Sequence, residues 1–216
     1  LLLAAPGVVQ KTVLFPQQHG ANFIAAIFGM SEAGWDGVDA AYALPPVSTE
    51  QVLHPELYFL QEAPQASPVP SLAEGMGRGW VEVSNDTMGE FLLRVYLEEY
   101  LDELQAEEAA AGWGGDTYSL LSGPEGERVL ISISSWDTPQ DASEFSDAYQ
   151  VFVGVKTQGE DAKSTSIGDT GRKWVTQDRT IFLGRHSSNE LLIVLGDDED
   201  LVGRALELIV DELSSP

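Results

Sequence analysis

A chain of 216 residues is long enough for one large domain or two small ones with a real core. Its 35 acidic and 11 basic residues give a net charge of -24, which argues against a nucleic-acid partner or an anionic membrane surface, since both need a basic footprint. The chain has no cysteine, which excludes disulfides, thiolate metal sites and cysteine nucleophiles, and no run approaches the roughly eighteen apolar residues of a membrane-spanning segment.

Residues 1–62 read as helical. The chain opens on Leu1-Leu2-Leu3-Ala4-Ala5-Pro6 without a basic n-region, and the expectation is that it is a piece of something longer. The apolar run Asn22–Met30 predicts a buried helix entered near Pro16, and a second short helix is expected from Asp36 to Ala43. Pro45-Pro46 ends it, because proline lacks an amide donor and biases its predecessor away from helix. Ser48 or Thr49 then caps a short helix with Glu50 and Gln51 in its first turn, and Pro55 stops it. This rigid clip over residues 47–58 sets Glu50 and His54 four residues apart on one helical face. Such a pair can bind metal, move protons or hydrogen-bond internally.

Residues 63–79 carry Pro64, Pro68, Pro70, Gly75, Gly77 and Gly79 and read as a linker or a long surface loop. Residues 80–216 read as an α+β domain. A strand at Trp80–Val83 precedes a helix capped by Asp86-Thr87 and running from Met88 to about Ala111. Gly112-Trp113-Gly114-Gly115-Asp116 is read as a helix cap and tight turn. A hairpin over 117–121 and 128–134, a helix over 139–153, and strands near 173–176, 180–185 and 191–195 follow. A closing helix spans 200–213. The expected fold is α+β, an N-terminal helical segment followed by a mainly antiparallel sheet with helices packed on one face.

Phe15-Pro16, Gly34-Trp35, Val38-Asp39, Ala41-Tyr42, Pro45-Pro46, Ser48-Thr49-Glu50-Gln51, Leu53-His54-Pro55-Glu56 and Tyr58 together form a pattern. So do Asp86 to Phe91, Gly112 to Asp116, Trp136-Asp137-Thr138 and Glu144-Phe145. Over residues 13–155 the chain resembles the second half of prokaryotic extracytoplasmic proteins related to a haloarchaeal surface protein family, whose members look like zinc metallopeptidases. The resemblance implies a cell-surface or secreted location and an upstream half carrying a His-Glu-x-x-His zinc site. That half, or another envelope protein, is then the implied partner, and the zinc lies in it. This chain has only His19, His54 and His186, none in that motif, so no cofactor is expected here. The implied role is the non-catalytic C-terminal portion of such a protein. The alternative is a stand-alone binding or structural module of the envelope.

Glu50, His54 and Tyr58 are the auxiliary catalytic candidates, with His54 or Tyr58 facing a cleft to stabilise an oxyanion. The competing reading makes the clip scaffold, with Glu50 bracing backbone and His54 packed under Pro55. The acidic run Asp197–Asp200 invites a calcium reading, but it also suits the start of a helix. Asn85-Asp86-Thr87 matches a glycosylation sequon, but such tripeptides are common by chance and Asp86-Thr87 is also a good helix cap, so no glycan is expected. No Gly-x-Ser-x-Gly elbow occurs. Burial of Leu2, Leu3, Val8, Val9, Phe23, Ile24 and Ile27 within the chain would mark a self-sufficient module, and an open apolar patch would mark a missing half or partner.

Overall fold

The computed structural model describes residues 4–30, 34–168 and 171–213. The elements in chain order are α1 (Gly7–Met30), α2 (Trp35–Ala43), α3 (Thr49–Leu53), α4 (Pro55–Leu60), α5 (Ala73–Met76), β1 (Val81–Asp86), α6 (Gly89–Leu97) and α7 (Glu103–Ala110). They continue as β2 (Trp113–Ser122), β3 (Arg128–Trp136), α8 (Pro139–Lys156), β4 (Lys163–Ile167), β5 (Gly171–Val175), β6 (Thr180–Arg185), β7 (Glu190–Gly196) and α9 (Glu199–Leu213). The class is α+β. Two compact units form, one from residues 1–64 with 89–111 and the other from 65–88 with 112–216. They therefore interleave along the chain, where consecutive segments at 1–62 and 80–216 were expected.

The first unit is helical. α1 continues through Pro16, although an interior proline costs about 3 kcal/mol. Packing on both sides of it outweighs that penalty: Phe15 stacks on His19 at 5.1 Å and meets the ring of Phe91 at 4.2 Å. Phe23, Ile27, Val38 and Ala41 form the buried cluster, with Ile24, Val52 and Tyr58 against it. Val8 and Val9 are exposed, and Leu2 and Leu3 lie outside the described residues, so burial of that set is split. The single helix expected over 88–111 is two helices. Asp102 starts α7 by a capping box with Gln105, which satisfies donors that a continuous helix would have bonded internally. α6 buries Phe91, Leu93, Val95 and Leu97 on more than one face and packs on α1 and α3, which is why these residues join the helical unit.

The second unit is a seven-stranded antiparallel sheet in the order β1-β2-β3-β7-β6-β5-β4. Period-two alternation sends Val129, Ile131 and Ile133 of β3 and Leu192 and Val194 of β7 to one face. There they pack with Val202, Ala205 and Ile209 of α9. The opposite face carries α8: Trp136 contacts Phe145 at 4.6 Å, and Arg185 reaches Ser143. The helices are thus divided between both faces instead of sharing one. Within residues 65–79, Ser67, Leu72 and Met76 are buried while the rest is half-buried or exposed. Gln65 N–H donates to Gly114 O at 2.6 Å, Ser67 and Ser135 bond through buried hydroxyls, and Leu72 and Met76 enter the core. β2 begins at Trp113, so the glycine pair lies in a strand where a turn was expected. Trp113 is buried and its Nε1–H donates to Asp116 Oδ1.

Candidate functional site

The clip forms largely as its residues dictate. Ser48 Oγ accepts from Gln51 N–H, and Pro55 opens α4 immediately after α3. Glu50 and Gln51 are buried. His54 Nε2 meets Oε1 of Glu90, on α6, at 2.9 Å. Glu90 is almost fully buried, and among the described residues its Oε2 has no hydrogen-bond partner. The hydrogen bond to Glu90 holds the His54 imidazole above its ordinary value of 6.5; burial opposes this, and the charges of Glu90, Glu56 and Glu50 add to it. The protonated ring thereby matches a carboxylate that would otherwise be a costly buried charge. Tyr58 donates to Leu44 O at 2.8 Å and presents its ring to the edge of Phe23.

Tyr58 borders a small hollow with Leu44, Val47 and Gln51, and Glu50 and His54 do not line it. Among the described residues no three His, Asp or Glu side chains are grouped to hold a metal ion. Asp197 and Asp198 are used locally: Asp197 Oδ2 accepts from Arg128 N–H and Asp198 Oδ1 from Leu201 N–H.

A different site takes shape in the sheet unit. α8 buries Ala142, Phe145, Tyr149, Phe152 and Val153. The neighbouring stripe of the same helix, Ser143, Ser146, Asp147 and Gln150, has i, i+3, i+4 and i+7 spacing and is polar. Opposite it the pairings Ser166↔Arg172 and Arg172↔Leu183 put these residues on one face with Arg185. Short polar side chains on the helix do not fill the gap, and a cleft of about 420 Å³ remains between α8 and β4–β6. Arg185 is aimed by two bonds, Nη2 to Ser143 Oγ at 2.8 Å and Nη1 to Ser188 O. Among the described residues neither Arg172 nor Arg185 has a carboxylate within ion-pair distance.

Two hollows of the helical unit make the contrast. An apolar groove of about 350 Å³ is lined by Phe15, Pro16, Phe23, Ile24, Tyr42 and Pro46. A polar hollow of about 460 Å³ holds His19, Lys11 and Arg94, but its cations are consumed. Arg94 bonds Glu98, Glu103 and Glu107, and Lys11 pairs with Glu98. Of these three hollows, the α8 cleft is the one whose guanidinium groups have no carboxylate partner among the described residues. Reading the sequence missed Arg172, Arg185 and Asp147. The polar stripe of α8 was the available signal, since its place beside an apolar stripe marks a flank that does not pack. Glu90 was missed as a partner because 36 residues separate it from His54.

The family model described as "Domain of unknown function (DUF8575)" matches residues 78–205. None of the curated proteins compared matches the chain. Among solved structures, the extracellular domain of PknH from Mycobacterium tuberculosis is similar at 9% identity and a TM-score of 0.43, over 70% of this chain and 97% of that one. No helix among the described residues is long and apolar enough to cross a membrane.

Proposed function

For a chain that belongs to DUF8575, a family described as a domain of unknown function, we propose a binding role: the α8 cleft takes a small molecule bearing a carboxylate or phosphate group. The observation that carries this reading is the pair Arg172 and Arg185, open to the cleft and without carboxylate partners among the described residues. Guanidinium groups present planar forks of donors that match the oxygens of such groups bidentately. A chain of net charge -24 repels anions at long range, so an anion is recognised only where cations converge locally. Ser143, Ser146 and Ser166 add hydroxyls along the walls.

The test is titration of the full chain with glutarate and with inorganic phosphate, followed by amide NMR. Saturable shifts are expected at Gly171, Leu183 and the α8 stripe, and Arg172→Gln is expected to weaken binding about tenfold, the loss of one charge-assisted contact. Absence of saturable binding, or shifts centred on His54 and Glu90, sinks the reading.

We set this module outside the cytoplasm, at the cell surface or secreted, beside a zinc-binding half or another envelope protein. The residue pattern over 13–155 supports that placement. Native mass spectrometry of material from its source, with zinc quantitation, checks it: an upstream fragment with about one zinc per copy agrees. A chain that travels alone and metal-free does not.

A further inference from the structure

Asp147 does not suit a cleft built for a simple anion. Its carboxylate comes from the helix wall and lines the same hollow as the two arginines of the sheet wall. It stands near Gln150 Nε2 at 3.5 Å. A carboxylate there repels a bare anion. Its presence becomes complementary when the bound molecule carries a positive group on the side facing α8. The charges around the cleft are then two positive on one wall and one negative on the other, a dipole across a space of about 420 Å³. A volume of that order accommodates a compound of amino-acid size.

Building on the anion-binding role of the cleft, we propose that its ligand is an amino acid, most closely a dicarboxylic one. The carboxylates are held by Arg172 and Arg185 and the ammonium by Asp147. Two carboxylates and one ammonium neutralise all three protein charges. A net charge of -1 on the ligand also carries less of the long-range repulsion of this acidic chain than a dianion does. Gln150 and Ser146, on the same helix stripe, supply further hydrogen bonds to the ammonium side. Specificity comes from Asp147, because a ligand without the amine leaves that carboxylate desolvated against its own negative groups.

Isothermal titration of the full chain with L-glutamate and with glutarate separates the two levels. Glutarate keeps both carboxylates and lacks the amine. L-glutamate is expected to bind the unaltered chain at least about tenfold more tightly than glutarate. Asp147→Asn is expected to erase that preference while leaving glutarate binding equal or tighter, and Arg172→Gln is expected to weaken both. Both side chains belong to exposed residues, so circular dichroism should show an unchanged fold. If glutarate binds as tightly as L-glutamate, or the preference survives in Asp147→Asn, the amino-acid assignment is overturned and the anion-binding role stands. If neither binds, the anion-binding role itself falls.

Discussion

In the helical unit Phe23, Ile27, Val38 and Ala41 are buried, as are Phe91, Leu93, Val95 and Leu97 of α6 and Ala106, Ala109 and Ala110 of α7, while much of α1 stays open at Val8, Val9, Val13 and Leu14. In the sheet unit apolar side chains are buried on both faces, under α9 on one side and α8 on the other. The helical unit adds polar ties to its apolar burial: the His54–Glu90 bond, the Arg94 network and the caps at Ser48 and Asp102. Its cations are spent on its own carboxylates. The sheet unit rests on apolar burial, at roughly 25 cal/mol per Å², and can leave Arg172 and Arg185 facing an open cleft. A binding site is easier to keep where stability does not depend on its charged groups.

The largest expected effect tests the sheet side of this contrast. A Cβ on Gly115 would fall onto the carbonyl oxygen of Gln65, far inside van der Waals contact. Gly115→Ala should therefore cost about 2–4 kcal/mol. Urea unfolding followed by tryptophan fluorescence measures it, since Trp80, Trp113, Trp136 and Trp174 all belong to that unit. A loss below about 1 kcal/mol would mean that the packed segment at residue 65 yields easily, and the contrast would weaken.

A smaller effect probes the polar ties. Protonated His54 is favoured in the fold, so its contribution is fully present below the unfolded value of 6.5 and fades as pH rises through the raised folded value. His19 runs the other way: burial, then Arg94, lowers its pKa, so its contribution is present above the ordinary value and fades as pH falls. Glu90→Gln should drop the NMR titration midpoint of His54. It should cost about 1 kcal/mol near pH 6 and less near pH 8, a figure kept small because the imidazole is 37% exposed. An unmoved midpoint would show that the bond does not hold the proton.

The smallest effect is a gain. A Cβ on Gly20, inside α1, meets nothing within 4 Å. Gly20→Ala should stabilise the helical unit by about 0.5–1 kcal/mol, read as a rise in the thermal midpoint by far-ultraviolet circular dichroism. No gain would mean that α1 is held by its partners and not by its own propensity.

The clip shows how far local signals reach. The cap at Ser48, the short helix after it and its stop at Pro55 were legible because each signal acts within four residues, whereas α4, which opens on Pro55, was not read. His54 stood out as a candidate, but its partner Glu90 did not. Nor did Arg172 and Arg185: alternation places them on a sheet face, but which helix covers that face depends on the strand order. β4 was missed altogether, since Lys163–Ile167 is wholly exposed and lacks the apolar alternation that marks a half-buried strand.

The sequence by itself determined the α+β class, most of the strands and helices, the caps, and the acidity that makes an anion site depend on converging cations. Periodicity, proline and capping chemistry act over a few residues, so they are written where they are used. Only the tertiary structure decided that residues 89–111 join the helical unit, that Leu72 and Met76 of the 65–79 segment enter the core, and that β3 pairs with β7. It also decided that a polar stripe of α8 stands over two arginines. Those outcomes depend on which apolar faces bury one another across dozens of residues, and no local pattern encodes that choice.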